Sequence, residues 1–170
     1  AMMKLENSTV STTGDSSPAI MIADGGGILI ADGGSFTTSG AMSQGIYSKG
    51  DVTVTNASVN ALNAKAAVLK GNNTITLSGT TLEGKETTDT VPYNIVLFSD
   101  EKDIGTMGTQ HFDVRGGYLI SHKGGMFYVT ATHGKISLNG TAITMDDPVA
   151  NLITVAGNDG ANGWGTPGRN

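Results

Sequence analysis

The sequence contains no cysteine, which excludes disulfides, thiolate catalysis and cysteine-type zinc sites together. Basic residues are also scarce, since 10 Lys and Arg face 15 Asp and Glu and give a formal charge of −5. Such a chain lacks a face that could neutralise phosphates, so we expect no nucleic-acid partner. Its apolar runs, such as "IVLF" (95–98), fall far short of the ~18 residues of a membrane helix. We therefore expect no membrane insertion.

The N-terminal stretch "AMMKLENS" shows no charged and then apolar leader, and its first residues are typical of a cloning tag. At 170 residues the chain is long enough for one domain with a sizeable core. We expect residues 1–170 to form a single domain that is a fragment of a longer surface protein, with residues 1–3 partly a tag remnant.

The sequence is rich in residue types that favour turns and strands. Gly, Thr, Ser and Asn number 25, 22, 13 and 12. Good helix formers occur in few continuous stretches, so helices are not expected.

An internal repeat organises this composition. Alternating apolar pairs recur at successive intervals of 24, 23, 37 and 24 residues, and a period of this size is typical of solenoids. The pairs are Ile28/Ile30, Val52/Val54, Ile75/Leu77, Phe112/Val114 and Ile136/Leu138, with Leu5 matching the second member at the N-terminus. A further apolar residue follows each pair, at Val10, Phe36, Val59, Leu82, Leu119 and Ile143. A third apolar cluster closes each unit, as in "AVLK" (67–70) and "NIVLF" (94–98).

The residue type at one further position of each unit supports the repeat independently of the apolar residues. Two positions after the second apolar anchor, every unit carries Asn, Asp or Gly, the residues that best tolerate left-handed backbone. The predicted bend residues are Asn7, Asp32, Asn56, Gly79, Gly116 and Gly140.

Three short strands and one sharp bend per unit predict an all-β, right-handed parallel β-helix of about six coils. The rival is an antiparallel sandwich, which would show two-residue Asn-Gly or Asp-Gly hairpins every 8–12 residues. The repeat of three strands per unit accounts for more of the sequence than regularly spaced hairpins do.

Function in solenoids is expected where coils depart from the repeat. The fourth unit carries two long polar segments, residues 84–93 and 99–110. These segments could flank a shallow groove for a glycan or for Ca²⁺, or they could be ordinary surface insertions. The candidate binding residues are Asp100, Glu101, Asp103 and Tyr93.

The C-terminal segment 156–170 holds the single tryptophan, Trp164. An exposed indole could stack on a sugar. The alternative is that this segment covers the end of the apolar interior or links to a following coil, since a solenoid end exposes core and strand edges.

Residues with catalytic or metal-binding chemistry are sparse. His111, His122 and His133 cannot converge in the coil register, so we expect no metal site and no bound cofactor, with Ca²⁺ in the loops as the alternative. Parallel β-helices can host polysaccharide lyases, which need clustered acids on one face. A weak lyase-like set consists of Asp113, Arg115 and Lys123.

Several phrases, including "STTGDSSPAIMIADGGG", "GGMFYVTATHGKISLNGTAIT" and "GWGTPGRN", resemble the adhesin-like, pectin-lyase-like β-helix proteins of anaerobic gut bacteria. The resemblance covers nearly the whole chain. It implies export, an extracellular or cell-surface location, and an adhesive or glycan-contacting role, and it supplies no catalytic residues.

Three functional hypotheses remain from the sequence. The first is a non-catalytic, extracellular β-helix that presents a surface to a glycan or to a host or bacterial surface protein. The second is a lyase-like polysaccharide-active enzyme or its inactive remnant. The third is a structural stalk that associates end to end with further copies.

Overall fold

The computed structural model describes residues 1–100 and 109–166, which form a right-handed parallel β-helix of six coils. Every strand pairing is parallel, as the sequence predicts. Coil 1 contains β1 (Met2–Thr12) and β2 (Ile20–Ile22); coil 2 contains β3 (Ile28–Thr38) and β4 (Ile46–Ser48). Coil 3 contains β5 (Asp51–Thr55), β6 (Ser58–Ala61) and β7 (Ala67–Lys70).

The remaining coils follow the same order. Coil 4 contains β8 (Asn73–Ser78), β9 (Thr81–Lys85) and β10 (Tyr93–Phe98). Coil 5 contains β11 (Thr109–Arg115), β12 (Tyr118–Lys123) and β13 (Gly125–Thr130). Coil 6 contains β14 (His133–Asn139), β15 (Ala142–Met145) and β16 (Ile153–Ala156), and a 3₁₀ turn follows at Gly160–Asn162.

The strands form two sheets. The first and second strands of all coils make a ten-stranded sheet that folds at the bend, where β1 and β3 run through it without a break. The third strands make a separate six-stranded sheet in the order β16-β13-β10-β7-β4-β2, which we call the third-strand sheet. Three separate strands per coil are thus present in coils 3 to 6, whereas coils 1 and 2 fuse the first two.

One predicted apolar pair is displaced by one residue. In coil 2 the residues that align with Val52 and Val54 are Leu29 and Ala31, not Ile28 and Ile30. Because side chains alternate across a strand, a one-residue slip exchanges the two faces. Ile28 is therefore exposed while Ala31 is fully buried.

The same slip corrects the bend column. Asp32 pairs with Glu6 and Thr55 inside the ladder, and Gly33 makes the bend with φ 70°. Left-handed φ values confirm the other five predicted bends, at Asn7, Asn56, Gly79, Gly116 and Gly140. Glycine suits these positions because it has no Cβ to crowd the following carbonyl oxygen, and asparagine is tolerated there because its short polar side chain can hydrogen-bond locally.

The inner strands of the third-strand sheet, β7, β10 and β13, are buried on both faces. Ile95 and Leu97 point into the apolar interior, whereas Val96 and Phe98 belong to a second cluster on the outer side. Double-sided burial explains why these strands read as continuous apolar runs instead of alternating. No long apolar helix of the kind that crosses a bilayer occurs in residues 1–100 and 109–166.

Candidate functional site

The turns that follow the third strands of coils 1 to 4 line a polar groove of about 330 Å³. Because each coil stacks on the next in parallel register, these turns come to lie side by side although they are far apart in sequence. We call this surface the turn groove. Its lining residues are Asp24, Gly25, Gly26, Lys49, Lys70, Gly71, Asn72 and Asp100.

Two ion pairs join neighbouring coils across the turn groove. The Lys49 ammonium lies 2.6 Å from Asp24, and Lys70 pairs with Asp100. The hydrogen bond to Asp24 raises the pKa of Lys49 above its ordinary value of 10.5. The Asp24 side chain remains 69% exposed at the mouth of the turn groove.

Glycines shape the walls of the turn groove. Gly25, Gly26 and Gly71 all have left-handed φ, at 89°, 71° and 87°. The left-handed conformation accounts for glycine at these turns. A Cβ added to Gly25 would meet no atom within 4 Å, which shows that the wall there opens directly to solvent.

The turn groove continues into an adjoining recess of about 350 Å³ along coils 1 to 3. The two spaces share Gly25, Gly26, Lys49 and Asn72, and the recess extends towards Gly50 and Asp51. Together they form an extended polar surface with both carboxylate acceptors and ammonium donors.

Of the sequence-predicted binding residues, Asp100 lies in the turn groove. Glu101 and Asp103 lie outside the described residues. Within residues 1–100 and 109–166, no group of three or more His, Asp or Glu side chains is arranged to hold a metal ion.

Tyr93 lies away from the turn groove, at the opposite end of the third strand. Its hydroxyl is 2.6 Å from Thr154 Oγ1, and its ring centroid is 5.2 Å from that of Tyr128. Tyr93 and Lys123 line a separate recess of about 260 Å³ beside residues 147–151. The structure thus divides the predicted binding residues between two surfaces.

Trp164 packs on the outer face of the third-strand sheet. Its ring meets Phe98 edge to face at a centroid distance of 5.0 Å, and the Lys65 ammonium lies 5.1 Å from the indole. The described part of the C-terminal segment, residues 156–166, thus runs along the side of the solenoid, and Val155 in the last strand stays 75% exposed. An indole held in this way has less free surface for stacking on a sugar.

Beneath Trp164 lies a buried ionic cluster that the sequence did not reveal. Lys65 is 1% exposed, and its ammonium donates to the carbonyl oxygens of Val91 at 2.6 Å and Tyr93 at 3.0 Å. The carboxylates of Glu86 and Asp89 each lie 3.5 Å away. Burial lowers the pKa of Lys65, an effect that exceeds the opposing effect of the two carboxylates.

The insertion of coil 4 positions those two acids. Glu86 Oε1 accepts hydrogen bonds from the backbone N–H groups of Thr88 and Asp89, at 2.7 Å and 2.9 Å. Asp89 in turn accepts a 3.4 Å hydrogen bond from the Trp164 indole. The insertion and the C-terminal segment therefore hold each other over the sheet, and Lys65 gives no sequence signal because its covering residues lie elsewhere in the chain.

The lyase-like set is not brought together as a unit. Asp113 accepts a 2.7 Å hydrogen bond from Arg115, whereas Lys123 lies 3.7 Å from Asp147. Asp113 pairs with Thr76 and Ser137 on the neighbouring coils, so no second acid stacks on it. A polysaccharide-lyase role for these residues stays a prediction.

The histidines lie on different strands. His122 is part of β12, where its ring lies 2.9 Å from Asp146 and 3.4 Å from Glu83. His111 lies 3.1 Å from Ser137. These contacts tie adjacent coils together on the outer surface.

Residues 147–151 are anchored through Asp147. Its carboxylate accepts hydrogen bonds from the N–H groups of Gly124 and Val149, which lower its pKa, and Lys123 acts in the same direction.

Comparisons with protein families, curated protein sequences and solved structures find no match to this chain.

Proposed function

We propose that this β-helix is a non-catalytic carbohydrate-binding segment of an extracellular, adhesin-like protein, and that the turn groove is its binding surface. The observation that carries the proposal is the alignment of two lysine–aspartate pairs from four consecutive coils along one groove. A surface protein of this kind belongs with the adhesin-like, pectin-lyase-like β-helix proteins that the sequence resembles.

The chemistry of the turn groove suits sugar hydroxyls. A hydroxyl both donates and accepts hydrogen bonds. The groove contains the carboxylates of Asp24 and Asp100 as acceptors and the ammonium groups of Lys49 and Lys70 as donors. The side-chain amide of Asn72 can both donate and accept. Hydrogen bonds to charged partners are about twice as strong as neutral ones. A chain of hydroxyls can therefore meet several strong partners at once.

The dimensions of the turn groove suit an oligosaccharide better than a single sugar. Four stacked coils at ~4.8 Å spacing give a length of about 14 Å. The adjoining recess prolongs this surface towards Asp51. Each of the two ion pairs joins one ammonium and one carboxylate, so the groove has no net charge from them. We therefore expect neutral or weakly charged glycans to be preferred over polyanions.

Binding can be tested by titrating the chain with a panel of neutral and acidic oligosaccharides, using calorimetry or NMR shifts. We expect a double variant, Lys49→Gln with Lys70→Gln, to weaken binding of a responding glycan at least tenfold, because two charged donors are lost. The matched control is Lys135→Gln, which removes an exposed lysine from β14 outside the groove.

An equal loss of affinity in the control and the double variant would reject the turn groove as the site. Absence of binding to the entire panel would reject the carbohydrate function.

A further inference from the structure

Both ends of the β-helix expose some of the side chains whose columns the inner coils bury, although Ile20 in coil 1 is only 2% exposed. In coil 6, Ile153 and Val155 are 54% and 75% exposed, although they continue the buried column of Phe127 and Val129. In coil 1, Met3 is 54% exposed and continues the column of Leu29. Each end therefore presents an apolar surface together with an unpaired strand edge.

Within the described residues, neither edge carries a covering element. The C-terminal segment turns along the outer face of the third-strand sheet, where Trp164 packs on Phe98. The edge strands β14, β15 and β16 have partners on one side only. Such an edge is a ready template for another parallel strand.

The two ends match each other in register. Following the pairing columns through the six coils places coil 1 of a second copy below coil 6 with apolar residues facing apolar residues. The facing pairs would be Ile136 with Met3, Leu138 with Leu5, Ile143 with Val10, Ile153 with Ile20, and Val155 with Ile22.

The bend is compatible with the same stacking. Gly140 would lie above Asn7 of the second copy, and the chain already contains this order where Gly33 is followed by Asn56. A Cβ on Gly140 meets nothing within 4 Å, so the site is open for a following coil.

Charge and size are also suitable. On the outward columns of the first strand Lys4 would face Ser137 and Glu6 would face Asn139, so neither of these two columns opposes like charges. Each end coil contributes roughly 20–25 residues, which lies within the ~20–30 residues a side of stable protein interfaces.

We propose that copies of this chain associate head to tail, with coil 1 of one copy pairing in parallel with coil 6 of another. The contact is heterologous, because the two surfaces differ, and every assembly keeps a free coil 1 at one extremity and a free coil 6 at the other. It therefore adds copies without closing a ring. The proposal does not depend on carbohydrate binding.

The experiment uses sedimentation velocity of the full chain over a wide concentration range. For the wild type we expect the average mass to rise with concentration and to pass beyond twice the monomer mass. Val155→Lys and Met3→Lys each place a charge on one end, so each variant alone should remain monomeric. An equimolar mixture should form 1:1 dimers and stop there, because each variant retains one competent end.

The control is Thr55→Lys, which adds the same charge on the outward face of a middle coil and should leave association unchanged. Circular dichroism melts identify any variant that fails to fold, and Ile153→Lys or Leu5→Lys then replaces it. A wild-type monomer at all concentrations overturns the proposal. Association that survives Val155→Lys overturns it too, because the contact would then lie elsewhere.

Discussion

Asn56 and Gly79 occupy the same position on consecutive coils, one directly over the other at the left-handed bend. Their φ values are 50° and 55°, and a Cβ built on Gly79 would lie 2.7 Å from Asn56 Oδ1. The Asn56 side chain thus occupies the space that the absent Cβ leaves. The pair shows how the bend column can alternate between asparagine and glycine without a gap between coils.

The first prediction concerns the conformation at this bend. Asn56→Gly should be nearly neutral, because glycine accepts left-handed φ, whereas Asn56→Val should lower the free energy of unfolding by roughly 1–2 kcal/mol. Urea denaturation measures both. Thr55→Val is the matched control, since it introduces the same side chain one residue earlier, in regular strand conformation. A silent Asn56→Val would contradict the assigned register.

The second prediction separates the two candidate bend residues of coil 2. Gly33→Ala should destabilise the protein by roughly 1–2 kcal/mol, because φ is 70° and the added Cβ would collide with Asn7 Oδ1. Asp32→Ala should change stability by less than about 0.5 kcal/mol, because Asp32 is an exposed ladder residue. The reverse order in thermal melts would restore Asp32 as the bend.

The one-residue displacement in coil 2 shows how much of the fold could be predicted from the sequence. The coils were predictable because apolar alternation and a left-handed bend recur in almost every unit. In coil 2 the apolar pattern points to the wrong residues, because Ala31, which lines the interior, is less apolar than Ile28 and Ile30 on the opposite face. Packing against the adjacent coils, and not hydrophobicity alone, determines that Ala31 is the buried residue.

The candidate site was much less predictable. The turn groove contains both Asp24 and Asp100, residues 76 positions apart that line one surface only because coils 1 to 4 stack on one another. Lys65 is buried by the coil 4 insertion and by Trp164, which lie in segments whose sequences are polar and irregular. Neither the groove nor the buried lysine leaves a periodic signal.

The third prediction uses the buried Lys65. Its folded pKa is lowered from 10.5, so between that lowered value and 10.5 the unfolded chain binds more protons than the folded one. Stability contributed by this group therefore rises with pH across that window. We expect the free energy of unfolding of the wild type to increase over this range relative to Lys65→Met.

Urea titrations at a series of alkaline pH values measure that difference. Lys135→Met serves as the control, because Lys135 is exposed and its removal should leave a curve parallel to that of the wild type. Parallel curves for Lys65→Met and the wild type would mean that Lys65 is solvated in solution.

The fourth prediction concerns Asn94, a buried amide that joins coils 4 and 5. Its Nδ2 lies 2.7 Å from Ser121 Oγ, 2.7 Å from Lys123 O and 3.1 Å from Gly125 O, so its two hydrogens are shared among three acceptors. The isosteric change Asn94→Asp replaces these donors with a carboxylate oxygen facing two carbonyl oxygens. We expect a loss on the order of 3 kcal/mol at neutral pH, because a buried charge would lack a partner.

The pH dependence distinguishes this electrostatic cause from simple disruption of packing. Burial would raise the folded pKa of the new carboxyl, so stability should recover in part as the pH falls through that value and the group becomes neutral. Asn94→Leu removes the same hydrogen bonds without adding a charge, and its deficit relative to wild type should stay constant over the same pH range. Denaturation curves of the three proteins between pH 4 and 8 measure both effects, and a pH-independent deficit in Asn94→Asp would show that the amide does not face the carbonyl groups of coil 5.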